Sequence, residues 1–240
     1  MRRSLVLGVA ALLLVAGCGS DSAQEVSTDD GSATATYSVP AGTDAATVAS
    51  VGRLLERRLD RLGVEDATVT VDGSDIEVAA PSGTPERVFD ALDRRASLEF
   101  RPVLATQAPG ATGTDVAHDF DGTTDYVLAP AAVTGAAIES SRAAVSAAGE
   151  WMVELVLKSA AIGTFNEVAA TCFSTTPGCP TGQLALVVDG EVYSAPSIQA
   201  AEFERDQIQI SGSFTEREAK DLAALLDAGV LPVPLERRRA

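Results

Sequence analysis

Residues 183 to 236 restrict the possible folds more than any other part of the chain. The run from Gln183 to Gln199 places Asp189-Gly190 between the apolar stretches LALVV and EVYSAPSI. A two-residue hairpin loop needs positive φ at both central positions, which Asp-Gly supplies at little steric cost, so a tight β-hairpin is predicted here. A strand from Gln207 to Ser211 follows, and then SGSFTEREAKDLAALLDAG. Thr215 stands where an N-cap belongs and Glu218 three residues later, the spacing of a capping box, while Phe214 is placed to staple the helix entry and Gly229 to close its exit. Hairpin, strand and capped helix are all specified, and none of them carries a catalytic pattern.

The first third of the chain has its own periodicity. Ala33 to Val39 alternates as a strand, and after Thr43 the residues Val48, Val51, Leu55, Leu59 and Leu62 step by three or four up to Gly63, as on one face of a helix. Ala67 to Val71 and Asp75 to Ala79 flank Asp72-Gly73, a second hairpin signal. Thr84-Pro85-Glu86 opens a short helix carrying Val88, Phe89 and Leu92, and Ser97 to Val103 reads as a closing strand. The order βαββαβ with amphipathic helices predicts an α+β fold, a ferredoxin-like base over residues 33–104. Residues 105–124 lack either period and read as a mobile linker. Beyond them, Asp125 to Leu128 looks extended, Thr134-Gly135 starts a small helix to about Ser146, Trp151 to Leu157 alternates as a strand, and a helix is expected around Ala160 to Ala170.

Three runs, LxxVVDGxVYSAPxI with QIxGxFTxxEAxDLAxLLxAGxLPxPLE, RLLERRLDRLGVEDATVTVDGSDIEVAAPSG with ALDRRASLEFRPV, and TGAAIESSRAAV with EWMVELVLKSAAIGTFNEVAA, resemble in that order the first periplasmic domain of SecD, the accessory subunit of the bacterial preprotein translocase. The resemblance covers residues 45 to 236 and is weakest over 105–124 and 171–181. It implies a head subdomain, residues 125–229, inserted into the base before its last strand, Val230 to Leu235, so that residues 230–236 complete the base. It also implies contact with unfolded exported polypeptide or with the Sec translocase. The chain stops at Ala240, where the family would enter another transmembrane helix, so the proton-coupled membrane part of SecD is not expected here.

Arg2 and Arg3 precede the apolar run Leu5 to Ala16, and Val15-Ala16-Gly17 leads into Cys18. About a dozen apolar residues fall short of the roughly 20 that span a bilayer as a helix. Residues 1–17 are therefore predicted to be a lipoprotein signal peptide, with cleavage before Cys18 and acylation of its thiol holding the protein on the outer face of the cell membrane. An ordinary secretory signal and an uncleaved anchor are the alternatives. Residues 18–32 would be a flexible tether, Ser-, Asp- and Thr-rich with nothing to bury. Loss of Arg2 and Arg3 takes the formal charge from −16 to −18. So acidic a chain has no surface for nucleic acid. The basic tail, 237–240, could rest on anionic headgroups or fray.

With Cys18 assigned to lipid, Cys172 and Cys179 remain, bracketing FSTTPG. In an exported protein they read as a disulfide closing a short loop. A redox or metal pair is the alternative, against which stand six intervening residues and no nearby histidine.

No hydrolase pattern emerges. His118 is the single histidine, so the usual nucleophile–base pairing lacks a partner. Asp119, Asp121 and Asp125 beside it invite calcium, but Gly122 falls out of register for an EF-type loop. Glu216 with Glu218, and Glu202 with Glu204, sit where helix starts and polar loops attract charge. GxGxxG after a strand, GxxxxGK(S/T) and CxxC pairs are absent, so no cofactor and no metal are expected. The reading is a non-catalytic binding protein. Tyr193, Pro196, Ile198 and Phe203 form the candidate polypeptide site, a recognition groove or else ordinary core. A solute-binding or regulatory lipoprotein on the same scaffold is the second reading, and a secreted enzyme with an unrecognised site the third.

Overall fold

The computed structural model describes residues 27–29, 32–113, 115–119 and 122–238. The signal peptide and Cys18 lie outside the described residues, as do Arg239 and Ala240.

The base begins with β1 (Ser27–Asp29), which pairs antiparallel with β2 (Ser32–Ser38), so the last part of the predicted tether is a strand. Helix α1 (Ala45–Arg61) is capped by Asp44, whose carboxylate accepts from Thr47 N at 3.0 Å. Strands β3 (Thr68–Asp72) and β4 (Asp75–Pro81) form the hairpin, with Asp72 opposite Asp75. Its central residues are thus Gly73 and Ser74, one position later than Asp72-Gly73 suggested. Helix α2 (Glu86–Asp93) follows. The apolar faces of α1 and α2 cover one face of the sheet, where Tyr37, Ile76, Val78, Leu55, Phe89 and Leu92 are buried together. Gly52 lets α1 lie close, since a Cβ there would come within 2.8 Å of the Val71 side chain.

Strand β5 (Leu98–Gln107) departs from the sequence expectation. It leaves the base and becomes the middle of a second sheet with β6 (Val116–His118), β7 (Asp125–Leu128) and β8 (Val133–Thr134). The expected linker therefore holds the end of β5, at 105–107, and the first strand of the β6–β7 hairpin. A single 3₁₀ turn, Gly135–Ala137, leads into β9 (Ile138–Val145), where the predicted helix to Ser146 proves to be a strand. Strand β10 (Trp151–Leu157) and helix α3 (Ile162–Phe173) come next, then the hairpin of β11 (Leu184–Val188) and β12 (Glu191–Ser194). Asp189 and Gly190 have φ of 53° and 91°, as a type I′ turn requires. Strand β13 (Ile208–Phe214) leads to α4 (Glu216–Ala228), which has the full capping box between Thr215 and Glu218.

The head thus holds two sheets, β12-β11-β5-β7-β6 with β8 beside β5, and β13-β10-β9. One core joins β5, β10, β11 and β13 to α3 and α4. The other face of β11 is also buried, through Ala185 and Val187 against Val103, Ala117 and Leu128. A parallel bridge from Asp119 to Val192 curls the larger sheet around this second core.

The chain then returns to the base. Leu231 and Leu235 enter its core, and β14 (Glu236–Arg237) pairs antiparallel with β2. The base sheet is a ferredoxin-like βαββαβ arrangement whose final strand is β14 rather than β5, with the α+β head inserted between α2 and that strand. Within the basic tail, Arg237 and Arg238 are paired. Arg237, 10% exposed, reaches Glu86 and Asp90 at 2.8 Å each, and Arg238 reaches Asp75 at 2.8 Å. Acidic residues on α2 and β4 pair with both cations.

Candidate functional site

Strands β12 and β13 end their respective sheets side by side, and among the described residues no backbone hydrogen bond spans them. Between them lies a cavity of about 240 Å³. Its floor is Phe100 from β5, Phe165 from α3 and Leu184 and Leu186 from β11. These side chains come together because β5 and β11 are hydrogen-bonded neighbours and α3 packs on the core face of both. Phe165 meets Phe100 edge-to-face at 5.3 Å and Phe203 at 5.8 Å, so an aromatic ladder runs from floor to mouth.

The walls are held by backbone bonds. After β12 the chain stays beside the start of β11, with Leu184 N donating to Pro196 O at 3.1 Å and Ile198 N to Gly182 O at 2.9 Å. Asn166 clamps the opposite wall: its side chain accepts from Phe203 N at 3.0 Å and donates to Phe203 O at 3.2 Å. Cys172 and Cys179 are joined as a disulfide that closes a loop between the end of α3 and the entry to β11, bracing two of the three elements that supply the floor.

Of the four residues singled out in the sequence, Pro196, Ile198 and Phe203 line this cavity. Pro196 is exposed, and Ile198 and Phe203 are half-buried. Tyr193 is directed elsewhere: it stacks on Phe214 at 6.2 Å and accepts a hydrogen bond from Arg94 at 2.9 Å, facing the junction with the base. Sequence reasoning missed the floor residues Phe100 and Phe165 and the clamp Asn166. Asn166 had one signal, a lone amide directly after Phe165 in the apolar helix. The rim is Ser194, Ser197, Gln199, Gln207 and Gln209, and among the described residues no charged side chain lines the cavity. Such a groove offers apolar contact and neutral hydrogen-bonding groups, and nothing that would transfer a proton.

His118 has a structural partner. Its Nδ1 lies 2.5 Å from Oδ1 of Asp125, a carboxylate 1% exposed whose other oxygen accepts from Gly110 N and Ala111 N at 2.8 and 2.6 Å. The His118 hydrogen bond, with the two backbone donors, holds the Asp125 carboxyl below the usual carboxylate range. The pair ties β6 to β7. Among the described residues no three of His, Cys, Asp and Glu are grouped so as to hold a metal ion.

The sequence profile of the SecDF P1 head subdomain matches residues 111–233. The chain belongs to the SecDF P1 head family. The SecD protein translocase subunit of Rhodobacter capsulatus is 33% identical over 199 residues, 79% of this chain and 34% of that protein. SecDF of Thermus thermophilus is 31% identical over 203 residues, 76% of this chain and 26% of that protein. A crystal structure of SecDF in a super-membrane-facing form superposes with a TM-score of 0.70 at 26% identity, over 85% of this chain and 29% of the other. A second solved chain, from work on SecDF as a membrane component that enhances protein export, shares the fold at a TM-score of 0.64 and 22% identity, over 86% of this chain and 98% of its own. The matched region is between 26% and 47% of the length of the SecD and SecDF relatives. Among the described residues no helix is long and apolar enough to cross a membrane.

Proposed function

We infer that this chain is a non-catalytic accessory lipoprotein of protein export, whose head groove binds extended segments of translocating or newly exported polypeptide. The observation that carries this reading is the uncharged, apolar-floored groove between two sheet edges, in a domain whose relatives are protein translocase subunits. Unfolded polypeptide offers what the groove takes, exposed apolar side chains flanked by neutral backbone amides. Its volume is below the roughly 300–1,000 Å³ typical of small-molecule sites, which favours single side chains over a whole solute. Anchoring would come through acylated Cys18 on the outer face of the membrane. Cys18 precedes Ser27, where the chain joins the base sheet, by nine positions. That tether reaches at most about 32 Å, which would keep the base near the lipid surface.

In-cell photo-crosslinking from position 197, on the groove rim, tests the reading. Exported polypeptides should be captured, and Phe203→Asp, which puts a charge into the mouth, should cut capture by at least about tenfold. Undiminished capture would remove the groove as the site. Cys18→Ala should release the protein from the membrane fraction, and retention would remove the lipid anchor.

A further inference from the structure

The edge that β12 gives to its sheet continues past Ser194. Ser197 lies opposite Gln183 in an isolated antiparallel bridge, flanked by the bonds from Leu184 N to Pro196 O at 3.1 Å and from Ile198 N to Gly182 O at 2.9 Å. In an antiparallel pair, a residue flanked by such bonds turns its own N–H and C=O to the opposite side. Both backbone groups of Ser197 therefore point away from β11. Among the described residues Ser197 N has no acceptor, and Ser197 O accepts only from the exposed Gln199 side chain, at 3.3 Å. Pro196 takes no donor from this edge: its carbonyl points to β11, so the N–H that proline lacks would have pointed there as well. Ala195 is already engaged, its carbonyl accepting from Gln183 Nε2 at 2.9 Å.

Across the seam, β13 pairs with β10 alone. Leu184 and Leu186 of β11 and Ile208 and Ile210 of β13 are buried in one core, so the two edges border a common apolar layer. They meet at one end, where Tyr193 stacks on Phe214 at 6.2 Å, and beyond it the cavity opens between residues 194–198 and 207–211. Five residues of extended chain run about 13 Å, so the open edge at 194–198 matches a client strand of the same length.

We propose that the groove takes its polypeptide by strand addition: an extended client segment lies antiparallel to residues 194–198, and one of its residues exchanges both backbone hydrogen bonds with Ser197, displacing the Gln199 amide. This rests on the reading of the groove as a polypeptide site and adds how the chain is held and which segments fit. Every pairing between named strands of the larger sheet is antiparallel, so the added strand continues its pattern. Directly opposed residues share a face of the sheet. Ser197 is exposed, so the client residue across from it points outward, and the residues on either side of that one point to Phe100 and Phe165. The fitting segment is apolar-x-apolar, with x any residue except proline. Main-chain bonds then hold the client and two inward side chains select it, a division that suits clients of unrelated sequence.

The probe is the acetylated, amidated pentapeptide Ser-Leu-Ser-Leu-Ser, titrated into the mature chain and followed by amide chemical shifts and by hydrogen exchange at Ser197. Saturation should slow exchange of the Ser197 amide at least about tenfold. Unchanged exchange while Phe165 and Phe203 shift overturns strand addition and leaves the groove reading in place. Replacing the central peptide N–H by an ester oxygen removes the donor aimed at Ser197 O without adding bulk, and should raise Kd about fivefold; an equal Kd overturns the proposal. Ser197→Pro takes the donor from the protein edge and should weaken binding by a similar factor, with undiminished binding again overturning it. Should that variant fail to fold, the ester comparison on the unaltered chain decides. Groove shifts absent at every concentration overturn the groove reading and the proposal together. Exchange at Ser197 that slows with protein concentration alone would make the edge of a second copy the occupant, and overturn the proposal.

Discussion

Base and head both lay sheets against helices, yet they treat their strand edges differently. In the base, the side of β2 away from β4 is occupied by β1 and β14, and Leu231 and Leu235 seal the core behind it. The other outer strand, β3, presents exposed Thr68, Thr70, Val71 and Asp72, and the pocket at its start carries the charged side chains Glu56, Arg57, Asp60, Glu65 and Asp66 beside Leu59 and Val64. In the head, β12 and β13 close their sheets without pairing to each other, and the space between is floored by Phe100, Phe165, Leu184 and Leu186. An unpaired edge is a template for another strand. An edge beside buried apolar surface is a place for a strand with side chains to bury. Under the proposed function the base is a mount and the head its working surface.

Four substitutions test that contrast in stability. Arg58→Met takes the guanidinium donors from five carbonyls where base and head meet, of which Arg95 O keeps its bond from Leu231 N, and should cost about 3 kcal/mol or more, read by denaturant unfolding. A loss under about 1 kcal/mol would mean that those bonds carry little of the stability. Replacing Cys172 and Cys179 together by Ser should cost roughly 2.5 kcal/mol on loop entropy. The loss should fall on the head alone, with faster amide exchange in α3 and β11 and unchanged exchange in α1; equal loss in both lobes would show that they unfold as one unit. Thr215→Ala removes the cap of α4 and should cost about 1 kcal/mol.

The smallest effect is in the pH profile. A carboxyl whose folded pKa is depressed stabilises the fold above its unfolded value near 4, and that contribution disappears as pH falls through the folded value. Asp125 is such a group. Asp125→Asn should therefore lower the melting temperature at neutral pH more than at about pH 3, and equal lowering at both would exclude the ion.

The base was legible because its central strands, β2 and β4, each bury one face. Alternation in Ala33 to Val39 and steps of three and four from Val48 to Leu59 map directly onto that single covered side. The closing strands were hidden: which sheet β5 joins depends on partners some 85 residues away in β11, and the returning strand is Glu236–Arg237 rather than the expected Val230 to Leu235. The head broke the same rules for physical reasons. Leu184 to Val188 is apolar at every position because β11 is covered on both faces, and that unbroken run was the available sign that a second layer had to come from elsewhere. The cover is the β6–β7 hairpin, too short and Thr/Asp-rich to alternate visibly. Strand β9 read as helix because its small residues mask period two. They serve to let α4 approach, with Ser141 Oγ donating to Ala223 O at 2.7 Å and Ser141 N to Asp227 Oδ1 at 3.2 Å. The groove itself was half visible. Pro196, Ile198 and Phe203 stood close in sequence, whereas Phe100 and Phe165 come from elements that only the tertiary fold brings beneath them.

Titration of the mature chain with an extended, uncharged peptide of alternating apolar residues, followed by amide chemical shifts, puts the account to its most direct trial. Saturable shifts confined to Phe165, Ile198, Phe203 and Ile208, with the base unchanged, are what the groove predicts. Shifts confined to the base sheet, or none at any concentration, would contradict it.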